Sequence, residues 1–93
     1  MNKIVDASKV FESNIRLQMI ASLSQCDLTY TQLKEICHCT DGNMATHIKK
    51  LIHFGFIVDK KEVVNNKLQT TYSLTKYGKE EFVQYVNLLN SLL

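Results

Sequence analysis

Sulfur and imidazole side chains are concentrated in one short segment of the sequence. Cys37, His38 and Cys39 are consecutive, and His47 and His53 follow further along the chain. Thiolates and imidazoles are ligands that zinc and copper prefer. The spacing matches neither a C-x-x-C nor an H-x-x-x-H template, and cysteine is a common small core residue. We therefore predict no metal site, and a thiol- or metal-responsive function of Cys37 and Cys39 stays open as an alternative.

The sequence lacks the motifs of common catalytic sites. It has no G-x-S-x-G nucleophile turn, no P-loop, and no pair of carboxylates at a spacing suited to acid–base catalysis. Asp41-Gly42 does not begin a calcium loop, because the other oxygen ligands of such a loop are missing. We therefore expect no catalytic residue, no cofactor and no enzymatic activity.

A second group of polar residues has the spacing of one helix face. In a helix over residues 41–54, at about 100° per residue, Met44, Ile48, Leu51 and Ile52 form an apolar stripe. Small residues let a helix approach DNA closely, amide and hydroxyl groups bond to base edges, and lysines contact phosphates. The sequence thus favours a helix that enters the major groove, with a solvated outer face as the alternative. The residues opposite the stripe are Gly42, Asn43, Thr46, Lys49, Lys50 and His53, with His47 on the flank.

Helices that could support this one are predicted on its N-terminal side. Residues 3–25 carry apolar residues at helical spacing, with a polar break at 12–14 that would end one helix and cap the next. Thr29 and Gln32 fit a capping box, which begins a short helix. Thr40 is then the predicted cap of the polar-faced helix. The short helix is predicted to present one apolar face made of Tyr30, Leu33 and Ile36.

The hydrophobic period changes from 3.6 to about 2 after Gly55, a typical helix-ending glycine. Residues 56–64 and 69–74 predict two strands, and Asn65-Asn66 predicts the turn between them because asparagine tolerates positive φ. Two helices joined by a tight turn and followed by a hairpin form a winged helix-turn-helix. We predict a mainly α, α+β fold: a single winged-helix domain over residues 1–93 whose wing spans 58–70.

Basic charge is concentrated in the middle of the chain. Residues 31–79 hold eight lysines against four acidic residues, a surplus of four, whereas the whole chain has a formal charge of +2. Lys60, Lys61 and Lys67 lie on the predicted wing, where they could contact flanking phosphates or the minor groove. Lysines on an edge hairpin also prevent aggregation. The low net charge keeps a second function open, a winged-helix protein-interaction module that does not bind DNA.

Thr75 caps a last predicted helix that carries more apolar surface than one small domain can cover. We therefore predict that residues 75–93 form a dimerisation helix. A twofold dimer places two recognition helices about one DNA turn, ~34 Å, apart, and so implies a palindromic site. The predicted interface residues are Phe82, Tyr85, Val86, Leu89, Leu92 and Leu93.

Two runs in the sequence resemble a known family. TDGNMATHIKKL (residues 40–51) is similar to a T-D-G-N-L-S-x-H-L-x-K-L run of small winged-helix transcriptional regulators related to the MarR and ArsR groups. TTYSLTKYGK (residues 70–79) is similar to the T-x-Y-x-L-T-x-x-G-x run that follows in the same family. The resemblance covers about residues 11–93.

The resemblance implies a homodimeric regulator, most simply a repressor, that binds double-stranded DNA and dimerises through its terminal helices. It also implies base contacts from Asn43, Thr46 and His47. The wing departs from the family, since relatives often carry arginine or glycine and proline where this chain has Asn65-Asn66-Lys67. The predicted DNA contacts are Thr40, Gly42, Asn43, Thr46, His47, Lys49, Lys50, Lys60, Lys61 and Lys67.

The cysteine count and the apolar runs of the sequence indicate the cellular compartment of the protein. The three cysteines are an odd number and we identify no signal peptide, which favours a reducing environment. The longest apolar runs are too short to cross a bilayer. We therefore expect a cytoplasmic protein without membrane contact.

Overall fold

The computed structural model describes residues 9–93, so most of the first predicted helical segment and the N-terminal end of the predicted domain lie outside the described residues. The remaining order of elements confirms the prediction of helices, hairpin and final helix. The elements are α1 (Asn14–Leu23), β1 (Leu28–Thr29), α2 (Tyr30–Cys37), α3 (Asp41–His53), β2 (Ile57–Val64), β3 (Lys67–Leu74) and α4 (Lys76–Ser91).

The helix starts are fixed by local hydrogen bonds at the predicted caps. In each case a side-chain hydroxyl accepts a bond from the backbone N–H three residues further on, and such a cap contributes about 1 kcal/mol to stability. Gln32 also accepts a bond from the backbone N–H of Thr29 at 2.9 Å, which completes the predicted capping box. The capping residues are Ser13, Thr29, Thr40 and Thr75.

The wing consists of β2, the turn Asn65-Asn66 and β3. Its strands pair antiparallel from Ile57 opposite Leu74 to Val64 opposite Lys67. Asn65 and Asn66 have φ values of 52° and 64°, the left-handed conformations that a two-residue type I′ turn requires. β3 therefore begins at Lys67, two residues before the predicted start.

A third strand, β1, was not predicted. Leu28 and Thr29 pair antiparallel with Tyr72 and Thr71, so β3 is the central strand of a three-stranded sheet. This short pairing joins the start of α2 to the base of the wing. It therefore fixes the position of the wing relative to the helix-turn-helix.

The core lies between the helices and the base of the wing. Phe56, the third residue after α3, is completely buried, and its ring meets the Phe11 ring edge to face with centroids 5.6 Å apart. Ile36 and Ile52, which helical spacing assigns to apolar faces, are 39% and 41% exposed. Other fully buried residues are Val10, Met19, Ile20, Leu33, Met44, Leu51 and Ile57.

The end of α3 and the start of α4 are joined directly. Gly55 takes φ +79° just after α3, and Thr75 Oγ1 donates to its carbonyl oxygen at 2.6 Å. The Thr75 backbone N–H donates to the Phe56 carbonyl at 2.9 Å. Gly78 packs so closely on Phe56 that an added Cβ would overlap the Phe56 carbonyl oxygen. These contacts fix the beginning of α4 against the end of α3.

None of the helices within residues 9–93 has both the length and the apolar character that a membrane span requires.

Candidate nucleic-acid interface

Helix α3 has one buried side and one exposed side, as the sequence predicts. Met44, Ile48 and Leu51 are buried in the core. Ile52 lies at the edge of this stripe. The side away from the core, called here the outer face of α3, consists of Gly42, Asn43, Thr46, Lys49, Lys50 and His53, all of them exposed.

The polar groups at the start of this face are available to a ligand. The Asn43 backbone N–H is bonded to Thr40 Oγ1 at 3.1 Å, but the Asn43 side-chain amide makes no hydrogen bond within residues 9–93. Thr46 Oγ1 donates to the Gly42 carbonyl at 3.0 Å, which leaves its lone pairs free to accept. An amide with free donors and acceptors suits the edges of bases.

The turn between α2 and α3 is held by a polar contact that the sequence did not predict. The Tyr30 hydroxyl donates to Asp41 Oδ1 at 2.6 Å, and Lys34 Nζ lies 2.9 Å from the same oxygen. The bond to Tyr30, followed by the charge and bond of Lys34, lowers the pKa of Asp41. The carboxylate in turn raises the pKa of Tyr30 to about 12. Asp41 is therefore a structural anion at the start of α3.

His47 is half-buried beside Arg16 of α1. Arg16 Nη1 lies 3.2 Å from His47 Nδ1. The same guanidinium donates to the backbone carbonyls of Val10 at 3.1 Å and Lys9 at 3.2 Å. Burial, then the positive charges of Arg16 and Lys50, lowers the pKa of His47. The imidazole is therefore neutral at neutral pH.

A depression of about 500 Å³ lies along the C-terminal half of the outer face of α3. Its walls include Arg16, Lys49, Lys50 and the ring of Phe54. In the described part of the chain, ion pairs form at Lys34, Lys60 and Lys61, and none of them involves the cations of this depression. Uncompensated cations at a concave surface attract phosphate groups. Arg16 is therefore part of this basic depression, although the sequence predicts only residues of α3 there.

The wing carries less free positive charge than its three lysines suggest. Lys61 Nζ lies 2.9 Å from Asp59 Oδ2, and this pairing raises the pKa of Lys61 and lowers that of Asp59. Lys60 Nζ lies 3.7 Å from Glu62 Oε2. Lys67, next to the turn, forms no ion pair with any residue from 9 to 93. Lys67 is thus the most available cation of the wing.

The apolar side chains of α4 are half-buried against the rest of the chain mostly in its first part and exposed mostly in its last part. Phe82 and Tyr85 pack on Phe11, with ring centroids 6.5 and 4.5 Å away. These two residues, which the sequence predicts at the dimer interface, are half-buried against the core of their own chain. The apolar side chains that α4 and the last residues expose are Val83, Leu88, Leu89, Leu92 and Leu93.

Cys37 and Cys39 belong to the core. Cys39 Sγ donates to the Cys37 carbonyl at 3.7 Å, and both side chains are buried. Burial raises the pKa of Cys37 to about 11, so its thiol is neutral and weakly nucleophilic at neutral pH. Within residues 9–93, no three His, Cys, Asp or Glu side chains come together in a way that could hold a metal ion.

Comparison with known sequences identifies a family. Residues 15–93 match the family described as Winged helix DNA-binding domain. An uncharacterized protein of Methanocaldococcus jannaschii is 36% identical over 81 residues, a match that covers 84% of this chain and 86% of that protein.

Solved structures share the fold at low sequence identity. The transcriptional repressor BigR of Xylella fastidiosa has a TM-score of 0.79 at 17% identity, over 99% of this chain and 87% of BigR. PadR of Bacillus subtilis, solved in complex with operator DNA, has a TM-score of 0.67 at 19% identity, over 75% of this chain and 45% of PadR. Regulators of the MarR and ArsR families are among the other structures with this fold.

Proposed function

Because the chain belongs to the winged helix DNA-binding domain family, we propose that it is a cytoplasmic transcriptional regulator that binds DNA as a homodimer. Its site is an inverted repeat in double-stranded DNA, and its effect on transcription is repression. The observation that carries this proposal is the outer face of α3, which is exposed and polar at its start and basic along its second half.

The chemistry of this face supports a division of roles along α3. Gly42 leaves room for the DNA at the start of the helix, and Thr40 fixes the position of that start. Asn43 and Thr46 offer amide and hydroxyl groups to base edges, with His47 beside them. Lys49 and Lys50 neutralise phosphates, which positions the protein without selecting a sequence. This role of the two lysines follows the usual separation of backbone and base contacts.

The wing contacts the DNA backbone that flanks the major-groove site. Lys67 is adjacent to the turn and is not committed to an ion pair with any described residue, so it supplies the main wing contact. Lys60 and Lys61 contribute less, because Glu62 and Asp59 neutralise part of their charge. Insertion of an arginine into the minor groove is not part of the proposal, since no arginine lies on the wing.

Dimerisation uses the exposed C-terminal part of α4 and the residues that follow it. Leu89, Leu92 and Leu93 were predicted as interface residues from the sequence, and all three are exposed in the single chain. Leu88 is also exposed in this part of the helix. Contiguous apolar surface of this kind usually marks an interface. Of the other predicted interface residues, Phe82, Tyr85 and Val86 are half-buried and would border the contact rather than form its centre.

Selection of bound duplexes from a random DNA pool at physiological salt tests the proposal. We expect an inverted repeat whose half-sites lie about one helical turn, ~34 Å, apart. Recovery of a single half-site would remove the dimer from the proposal. Recovery of no sequence by a folded protein would favour the protein-interaction module. A third alternative, a repressor that responds to metals or oxidants through Cys37 and Cys39, is disfavoured by the buried, neutral thiol of Cys37.

A further inference from the structure

The Arg16 side chain is immobilised by hydrogen bonds on several sides. Its Nε donates to the Val10 carbonyl at 3.1 Å and its Nη2 to the Lys9 carbonyl at 3.2 Å. The remaining amino group, Nη1, then faces His47 Nδ1 at 3.2 Å. Arg16 thus connects the N-terminal segment and α1 to the middle of α3.

The donor and acceptor in the contact with His47 follow from the chemistry of the two groups. A guanidinium has only donors, so Arg16 must donate and His47 Nδ1 must accept. A neutral imidazole whose Nδ1 accepts carries its proton on Nε2. The contact therefore fixes the tautomer of His47.

The second nitrogen of His47 is open to a ligand. Within residues 9–93, Nε2 forms no hydrogen bond, and no buried side-chain nitrogen or oxygen is left without a partner. Nε2 therefore reaches solvent, on the side of the ring opposite Arg16. His47 presents a single N–H donor there, one residue after Thr46 of the outer face of α3.

We propose that Arg16 makes His47 an obligate hydrogen-bond donor to the DNA, so that His47 selects a base with an acceptor in the major groove and rejects cytosine. The inference rests on the proposed function and deepens it by assigning Arg16 as a positioning residue. Guanine and adenine present N7, thymine presents O4, and cytosine presents only an amino donor at this edge. A histidine free to exchange tautomers would accept from cytosine and lose this discrimination.

The charges around His47 keep its imidazole neutral over a range of pH. Arg16 on α1 and Lys50 on α3 itself are the charged groups that act on the ring, and both are positive. Together with burial they oppose a second proton on His47, which lowers its pKa. We therefore expect the preference of His47 for a base with an acceptor to stay constant between about pH 6.5 and 8, above the ordinary histidine pKa of about 6.5.

The first experiment measures the tautomer directly in the free protein. Long-range ¹H–¹⁵N spectra of the imidazole rings distinguish a protonated Nε2 from a protonated Nδ1, and the spectrum of His47→Gln assigns the signals. We expect His47 with its proton on Nε2 throughout this range. A ring with its proton on Nδ1, or an imidazolium, would overturn the proposal without any reference to DNA.

The second experiment measures base selection on the duplex recovered by selection. All four bases are placed at each position. An analogue that lacks the acceptor then follows at the position affected, 7-deazaadenine for adenine or 5-methyl-2-pyrimidinone for thymine; 7-deazaguanine is left out because it retains the O6 acceptor. We expect wild type to bind cytosine or the analogue about three- to tenfold more weakly there, the value of one neutral hydrogen bond. His47→Ala should bind both versions equally. A uniform loss across all sequences in His47→Ala, with a reduced salt dependence, would identify a phosphate contact and overturn base selection.

Variants of Arg16 test its positioning role. Arg16→Met removes the donor and the charge. We expect His47 in this variant to populate both tautomers, and the variant to bind the duplex with cytosine as well as the others. Arg16→Lys retains a donor and should restore the wild-type preference. If neither the tautomer nor the tolerance changes in a folded Arg16→Met, Arg16 does not position His47. Should Arg16→Met fail to fold, the wild-type tautomer and the His47 variants decide the question.

The DNA-binding function and the fixing of the His47 tautomer by Arg16 would be contradicted by different results. Binding to no duplex by a protein with the expected tautomer removes the DNA-binding function and base selection with it. Sequence-specific binding by a protein with the wrong tautomer removes the roles of Arg16 and of His47 as an obligate donor, and leaves the DNA-binding function in place.

Discussion

The Tyr30 hydroxyl donates a 2.6 Å hydrogen bond to the Asp41 carboxylate and so joins the first residue of α2 to the first residue of α3. Lys34 approaches the same oxygen at 2.9 Å. The two helices of the helix-turn-helix are thus held together near their starts through one carboxylate. This contact bears on the orientation of α3, because it lies where α3 begins.

The contact predicts a pH dependence of stability. The pKa of Asp41 is lowered in the folded protein, so its contribution is present above the ordinary aspartate pKa of about 3.9 and is lost as the pH falls below it. Asp41→Asn should therefore lower the Tm at pH 7, and the difference from wild type should shrink below about pH 4. In a Tyr30→Phe background the effect of Asp41→Asn should be smaller, since the two residues interact. Equal effects in both backgrounds would show that the pair is not coupled. Thermal melts at several pH values provide the measurement.

Base selection by the outer face of α3 is tested with alanine variants. Asn43→Ala and Thr46→Ala should each reduce the preference for one base position by about 1–3 kcal/mol. The loss should be confined to that position, because in the proposed complex each side chain contacts one base step. Competition binding with single-base operator variants measures it. An unchanged sequence preference in both variants would show that the assignment of the base-contacting face is wrong.

The proposed phosphate contacts of the lysines are tested through the salt dependence of DNA binding. Lys50→Ala should weaken binding to all duplexes alike and reduce the slope of log affinity against log salt by about 1 per protomer. The matched control is Lys79→Ala, an exposed lysine on α4 away from the outer face of α3. Titrations at several salt concentrations compare them. Equal slopes in wild type and Lys50→Ala would exclude Lys50 from the phosphate contacts.

The proposed dimer contact is tested with a charge on each side of α4. Leu89→Asp should raise the dimer dissociation constant by at least about tenfold, because leucine burial contributes about 1.5–3 kcal/mol and a twofold interface contains two copies. Asn87→Asp adds the same charge at another exposed position of the helix and should leave the dimer intact. Sedimentation analysis measures both constants. A wild-type monomer, or a Leu89→Asp dimer of unchanged strength, would contradict the assignment.

Two glycines are expected to respond oppositely to alanine. Gly78→Ala forces a Cβ against the Phe56 carbonyl and should destabilise the fold by about 1–3 kcal/mol, the usual cost of overpacking. Gly42→Ala meets open space, with Thr40 Oγ1 at 3.9 Å as its near neighbour. It should stabilise the fold by about 0.5–1 kcal/mol through helix propensity, and it should weaken DNA binding because the methyl group points into the groove. A Gly42→Ala variant that binds operator normally would show that α3 does not approach the DNA at its start.

Features encoded within a few residues of chain could be predicted from the sequence. A cap such as Thr40 depends on a hydroxyl and a backbone N–H three residues away, and the turn Asn65-Asn66 depends on two residues that tolerate positive φ. The exposed and buried sides of α3 follow from helical geometry. Only the edge of the stripe was misassigned, because at Ile52 the period alone does not say how far the neighbouring elements reach.

Contacts between distant parts of the chain could not be predicted in this way. Arg16 and His47 are 31 residues apart, and their contact depends on how α1 crosses α3. Strand β1 has two residues, too few for a period of 2 to be visible.

The junction at Gly55 and Thr75 couples the position of α4 to that of α3. The hydroxyl of Thr75 binds the last carbonyls before the wing, and Gly78 lies directly on Phe56, so α4 cannot rotate without displacing the end of α3. In the proposed dimer built on α4, the position of each α3 then depends on the position of the α4 in the same chain. A change in the crossing angle of the two α4 helices would therefore also change the spacing of the two α3 helices.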